Sequence, residues 1–407
     1  MGNKCRVCNS NIKEFMSLGE MPIANAFVTK DNSNKQFFYH LKISFCKKCY
    51  TFQLIDIPKP EQMFNENYAY LSSTSSAMIE HFSELSSKII SNPTFSKNSF
   101  IVEVGSNDGI FLKNFADRNI NHLGIDASRN VCEFAEEKNV KTLNTFFNFE
   151  ISKKIEKDYG KADVIVSTNT MHHIENINDV IKGMANLIKD DGMIITEDPS
   201  LLEMLKNNAY DQIYAEHMYI WSLTSIKNLL NAHGLEVFNI ENNEFHGGCS
   251  RYFIAKKNAK KIQNSVIEHQ NNEDSFGIKK ISTYLKFKEN VVKSKEKLTS
   301  LLKNLKSNKK TIVGYGAPAK STTILNYCKI NNSLIDKIFD NSKTKINKKT
   351  PGISLIDVVD SKKFKEYKSD YCILFAWNHR KEILLKEKEY SNKNGKWIIP
   401  LSNIEII

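Results

Sequence analysis

Apolar and polar positions along this chain alternate between short, nearly unbroken apolar runs and stretches of helical period. Residues 100–104 are apolar in all but one position, which suits a strand covered on both faces. Residues 122–126, 162–167, 193–197 and 237–240 read as further strands. Helical spacing fills the intervals at 77–90, 131–138, 177–188 and 224–233. Strand alternating with helix predicts a mostly parallel, doubly wound sheet. Ligands then gather outside the carboxyl ends of its strands.

The pattern changes on both sides of this block. From 281 to 305 apolar residues recur at 281, 284, 285, 291, 292, 298, 301, 302 and 305. That is close to helical spacing with lysines on the other face, so a long helix is expected, with residues 271–275 as the loop before it. Residues 311–321 then read as a strand, a Gly314-Tyr315-Gly316 turn and a new helix, and 338–340 and 371–375 as more strands. This predicts a second, smaller Rossmann-like unit. Upstream, 18–27 reads as a loop with apolar anchors, and 67–75 as a polar, aromatic bridge. The fold class is α/β, divided into 1–75, 76–270 and 271–407.

The turn after the first central strand, Glu103-Val104-Gly105-Ser106-Asn107-Asp108-Gly109, carries the first chemical signal. Gly105 and Gly109 let backbone approach a ligand closely, and a helix beginning near Ile110 would aim its N–H groups there. The spacing differs from G-x-G-x-x-G and from the P-loop. It fits the cofactor turn of S-adenosylmethionine-dependent methyltransferases better. Asp126 ends the next strand about 20 residues on, where a doubly wound fold hydrogen-bonds ribose hydroxyls; capping the following helix is its plainer role.

Cys5-Arg6-Val7-Cys8 and Cys46-Lys47-Lys48-Cys49 are paired C-x-x-C knuckles. Two knuckles close a four-coordinate shell with no open position, so Cys5, Cys8, Cys46 and Cys49 predict structural Zn²⁺. Cys132, Cys249, Cys328 and Cys372 have no partner spacing and read mostly as small buried residues.

Composition adds bounds. The chain has 407 residues, 41% hydrophobic and 10% aromatic, enough for two or three domains. No run reaches the roughly 18 apolar residues of a membrane span, and the amino-terminus has no apolar signal segment. A soluble, cytoplasmic protein is expected. The net charge is +11. The lysines are scattered rather than interleaved with aromatics, which argues against nucleic acid. A basic cleft for a diphosphate-bearing substrate fits better.

Three loops at strand ends are rich in functional groups: 167–174, 197–200 and 210–222. The last holds Tyr214, Glu216 and His217 within a few residues. Tyr68 and Tyr70 suit the lining of a cleft. Arg251 suits a phosphate or a solvated strand position. Gly314, Gly316 and Lys320 suit a pyrophosphate at a helix N-terminus or a structural turn.

Taken in order, these stretches resemble the zinc-containing sugar C-methyltransferases acting on nucleotide-linked deoxyketosugars, over nearly the whole chain. The four cysteines look like that family's zinc module and Glu103–Gly109 like its cofactor turn. Tyr214-Ala215-Glu216-His217 is similar to its Tyr-x-Glu-His segment. Asn169 and His173 match an Asn and a His after the fourth strand, and residues 314–320 resemble the opening of its C-terminal domain. The resemblance implies methyl transfer from S-adenosylmethionine to a sugar carbon beside a ketone. That carbon needs a base, and the resulting enolate needs donors. His217 is the expected base, with Tyr214 the competing assignment. Glu216 would orient it or bind a sugar hydroxyl; Tyr214, His173 and Tyr68 would bind the enolate or the sugar. Ala215 and Trp221 depart from the family pattern and bear on the sugar's identity. An O- or N-methyltransferase is the alternative enzyme, and a zinc-containing nucleic-acid binder the remote one.

Overall fold

In the computed structural model, residues 3–63, 71–401 and 404–407 are described. The central sheet has seven strands in the order Leu235–Asn243, Cys249–Lys256, Ile188–Pro199, Ala162–Thr168, Phe100–Val104, Asn121–Asp126 and Thr142–Asn144. The strands from Ile188–Pro199 onward pair in parallel. Cys249–Lys256 runs antiparallel to both of its neighbours. Residues 100–104 are all buried, Glu103 included, as expected of a central strand with helices on both faces.

The amino-terminal sheet is antiparallel, in the order Glu14–Pro22, Phe38–Phe45, Phe52–Leu54 and Tyr219–Ile220. Its last strand comes from the central domain, so the two parts share backbone hydrogen bonds. Part of the expected 18–27 loop is strand here: Glu20, Met21 and Pro22 pair with His40, Tyr39 and Phe38, and Leu18, Met21 and Pro22 are buried. Tyr284 of the long helix Ile281–Ser307 stacks on Phe45 at 4.0 Å and meets Phe15 edge-on at 5.8 Å.

The carboxyl-terminal sheet has the order Val358–Asp360, Ile338–Asp340, Ile312–Tyr315, Tyr371–Leu374, Lys396–Ile399 and Glu405–Ile406. Its first five strands are parallel and the last is antiparallel. The helix Ala319–Tyr327 docks this domain on the other two. Thr322 Oγ1 donates to the Ala24 carbonyl at 2.8 Å and Thr323 Oγ1 to that of Ile213 at 2.9 Å. Among the described residues no helix is long and apolar enough to cross a membrane.

Two expected boundaries move. After Gly109 the chain continues as turns, and regular helix covers only Lys113–Ala116. Residues 271–275 are not a loop; they lie in the helix Asn264–Phe276. Its Glu273, fully buried, accepts from the N–H groups of Leu223 and Thr224 at 2.7 and 2.9 Å and from Thr224 Oγ1 at 2.7 Å. The carboxylate caps the N-terminus of the helix Leu223–Asn231, where both the orphan donors and the helix dipole favour an anion. Its polar composition disguised this segment as a loop. Glu273→Ala strands those donors in the interior and is expected to cost about 3 kcal/mol in urea unfolding, with Glu273→Gln losing roughly half as much.

Candidate active site

A cavity of about 630 Å³ opens at the carboxyl ends of the central strands, and all three parts of the chain line it. Asn25 comes from the amino-terminal module. Glu103, Gly105, Asn107, Asp126 and Asn169 come from the first strand ends, and His172, His173, Tyr214, Glu216 and His217 from the later loops. Pro318, Ala319, Lys320 and Lys345 come from the carboxyl-terminal domain.

The cofactor end is built on a tight turn. Gly105 has φ +79°, and a Cβ there would sit 2.2 Å from Thr170 Oγ1. Only glycine fits both the angle and the space. The N–H groups of Gly105 and Ser106 bond to the Ile125 carbonyl at 2.8 and 3.2 Å, tying the turn to the neighbouring strand. Asp126 accepts from the N–H groups of Asn107 at 3.0 Å and Ser128 at 2.9 Å. It thus bridges the turn and the next loop, while Ser128 occupies the cap position of the following helix. Glu103 is buried with Oε2 unpartnered, and burial, then Asp126 and Asp108, holds its carboxyl well above the usual range. Asn169, at φ +52°, likewise carries an unpartnered Oδ1. The unpartnered Glu103 Oε2 and Asn169 Oδ1, with Asp126 beside them, fit a ligand bearing ribose hydroxyls and positive charge, as S-adenosylmethionine does.

Two residues of the turn face elsewhere. Gly109 packs on Ala135 and Val140, each 3.0 Å from where its Cβ would be. Asp108 pairs with Lys138 Nζ at 3.0 Å and bonds the hydroxyl of Ser73. Neither lines the cavity, so the direct cofactor contacts expected of them are corrected. Gly109 serves close packing, and Asp108 fastens the segment around Ser73 over the turn.

Across the cavity lies an imidazole cluster. The turn Met171–His173 presents His172 and His173, and the loop before Tyr219–Ile220 presents His217. Ring nitrogens of the three lie within 4.8 Å of one another. Backbone bonds bolt this loop down: His217 N–H to Tyr214 O at 2.9 Å, Met218 N–H to His172 O at 2.9 Å and Leu54 N–H to Met218 O at 2.9 Å. His217 Nε2 bonds the Tyr214 hydroxyl. His173 Nδ1 lies 2.5 Å from the Glu216 carbonyl; a carbonyl only accepts, so that nitrogen carries the proton. Its Nε2 is then an acceptor while the ring is neutral. His172 Nδ1 meets the buried Asp198 at 2.5 Å. Burial lowers all three imidazoles, His172 to about 3 and the other two well below the usual value, with neighbouring imidazoles adding to the effect on His173 and His217. They are neutral bases at neutral pH. Burial pushes Glu216 up to about 7, against the opposing pull of Asn25 and Lys345.

Lys320 lines the cavity 4.7 Å above the Trp377 ring, and Trp377 Nε1 donates to Asp211 at 2.7 Å. Gly316 does not: its Cβ direction meets Ala376 at 2.7 Å, and Asp340 accepts the Ala317 N–H at 2.6 Å, where a phosphate would have to sit. Arg251 is also turned away. Its guanidinium bonds Glu197 at 2.7 Å and His81 at 3.1 Å in the interior. A buried carboxylate outcompetes a substrate phosphate for it, so neither Gly316 nor Arg251 serves as a substrate contact. Tyr68 and Tyr70 lie outside the described residues. Asn25, His172 and Lys345 also line the cavity and belong to no motif of the sequence. His172 had a signal in its neighbour His173; Asn25 and Lys345 come near the cavity only through domain packing.

Outside the cavity lining the four cysteines converge. Their sulfurs lie within 4.8 Å of one another, with Cys5–Cys49 at 3.5 Å and Cys8–Cys46 at 3.6 Å. Tetrahedral Zn–S bonds of about 2.3 Å place sulfurs ~3.8 Å apart, so the set fits zinc. Gln53 Nε2 donates to Cys5 Sγ at 3.0 Å and Thr51 Oγ1 lies 3.1 Å from Cys49 Sγ, the outer hydrogen bonds such sites use.

Three family models match successive parts of the chain. Residues 5–64 match a family model for a zinc binding domain, 75–240 one for a methyltransferase domain, and 244–402 one for a C-methyltransferase C-terminal domain. The C-methyltransferase NovU of Streptomyces niveus is 29% identical over all of this chain and 97% of its own length. The chain is an S-adenosylmethionine-dependent C-methyltransferase. It has the domain set of the zinc-containing C-methyltransferases. A ubiquinone biosynthesis O-methyltransferase of Pelagibacter ubique is 26% identical over 33% of this chain and 55% of its own. The solved magnesium protoporphyrin IX methyltransferase of Synechocystis overlaps 44% of this chain and 79% of its own, at 12% identity and a TM-score of 0.33.

In this C-methyltransferase, Gly105→Ala is expected to weaken S-adenosylhomocysteine binding by roughly 10- to 100-fold in calorimetry, from about 1–3 kcal/mol of backbone strain and displacement of Thr170. The zinc content should be unchanged.

Proposed function

We propose that this enzyme methylates a carbon beside the ketone of a nucleotide-linked deoxysugar, through an enolate. The observation that carries the reading is the single cavity joining the cofactor turn, a neutral imidazole–phenol pair and cationic side chains of the carboxyl-terminal domain. S-adenosylmethionine supplies an electrophilic methyl group; Glu103, Gly105, Asn107, Asp126 and Asn169 would hold it. The rest falls to the chain's own groups.

A carbon acid gives up its proton only to a well-placed base. His217 takes the role, with the proton moving from the sugar carbon to its ring and the Tyr214 hydroxyl fixing the ring. Tyr214 as the base, relaying to His217, is the competing order of events. The new oxyanion needs a donor, and the Tyr214 hydroxyl can supply it. His173, whose proton is committed to the Glu216 carbonyl, contributes an acceptor instead and suits a sugar hydroxyl. Glu216 suits another. Lys320 and Lys345 favour an anionic group such as a diphosphate. A methyltransferase acting on oxygen has less need of so many buried bases.

The test is turnover of labelled S-adenosylmethionine with a panel of keto sugar nucleotides, followed by product NMR. A C–CH₃ signal supports the reading and an O–CH₃ signal overturns it. His217→Asn should lower kcat by about 10²–10⁴-fold with little change in S-adenosylhomocysteine affinity; retained turnover removes His217 as the base. A buried imidazole stays neutral to lower pH than a free one, so in a Glu216→Gln background, which removes the carboxyl pushed up to about 7, the acid limb of kcat/KM should lie below about 6.5.

A further inference from the structure

We propose that Asn25 of the zinc module is a substrate-positioning residue. It fixes the Glu216 carboxylate, so that the zinc module forms part of the sugar site. The inference rests on the proposed function in taking Glu216 to face the sugar.

Asn25 Nδ2 lies 3.0 Å from each carboxylate oxygen of Glu216, across 191 residues of sequence. Both side chains line the cavity. An ionised carboxylate accepts about four hydrogen bonds. One amide group shared between its oxygens sets the plane of the carboxylate and leaves capacity for a substrate hydroxyl. It does so without adding charge, which a lysine would. The main chain of Glu216 is held as well, since its carbonyl accepts from His173. The residue is thus fixed at both ends.

Asn25 is held just as firmly. The carbonyl of the preceding Ala24 accepts from Thr322. The Asn25 carbonyl accepts from the Phe27 N–H at 2.9 Å, and Val28 exchanges backbone bonds with Lys349 at 3.0 and 2.8 Å. The loop leaves the strand Glu14–Pro22, whose partner Phe38–Phe45 runs directly into the second cysteine knuckle. Loss of zinc therefore loosens the pair of strands that carries Asn25, while the cofactor turn, tied to the neighbouring central strand through the Ile125 carbonyl, stays in place.

The test uses the full-length, zinc-loaded enzyme. Asn25→Ala is expected to raise the Kd and KM for a thymidine diphosphate keto sugar at least tenfold, with kcat within threefold and S-adenosylhomocysteine Kd within twofold of wild type. Asn25→Asp, which sets a second carboxylate against Glu216, should be worse still. Glu216→Gln with Asn25→Ala should be no worse than Glu216→Gln alone. Partial zinc removal by a chelator should raise sugar Kd in the same way while cofactor affinity holds. The proposal is overturned if Asn25→Ala leaves sugar Kd unchanged, if it weakens cofactor binding equally, or if the two substitutions add. Failure of the functional reading shows separately, as the absence of a C-methylated product from the wild-type enzyme.

Discussion

The structure depends on the burial of one segment, residues 210–222, between three domains. Buried backbone must find partners, and this segment finds them on every side. Tyr219–Ile220 completes the amino-terminal sheet, Met218 bonds both His172 and Leu54, and the Ile213 carbonyl takes Thr323 from the carboxyl-terminal helix. Those bonds leave little freedom for Tyr214, Glu216 and His217. The reactive side chains are placed by the same contacts that hold the domains together.

This arrangement also explains the electrostatics. A site open to water would let its imidazoles and carboxyls titrate near their ordinary values. Enclosure by three domains keeps His172, His173 and His217 neutral and pushes Glu216 upward. Desolvation dominates each shift, so the chemistry of the site depends on how well the domains close around it.

Much of this was legible from the residues. The central strand Phe100–Val104, the helix from Ile281 and the strand Ile338–Asp340 appear where their patterns placed them, because burial on both faces or on one stripe leaves a clear period. The cysteine knuckles were legible because tetrahedral coordination fixes their spacing. Arg251 and Gly316 misled, since a free arginine and an open glycine turn look the same in sequence as ones already engaged by Glu197 or Asp340. Glu273 misled for a related reason: a polar run hid a carboxylate that caps a distant helix. Asn25 left no local signal, because its partner Glu216 is reached only after the domains assemble.

The contact between Tyr284 and Phe45 has a consequence for biosynthesis. The amino-terminal module leaves the ribosome before the central domain, yet its sheet lacks its last strand until Tyr219–Ile220 is made and its aromatic layer stays open until residue 284 follows. At about 5–20 residues per second that wait is on the order of tens of seconds. The nascent zinc module must pass that time with apolar side chains exposed, held mainly by its metal.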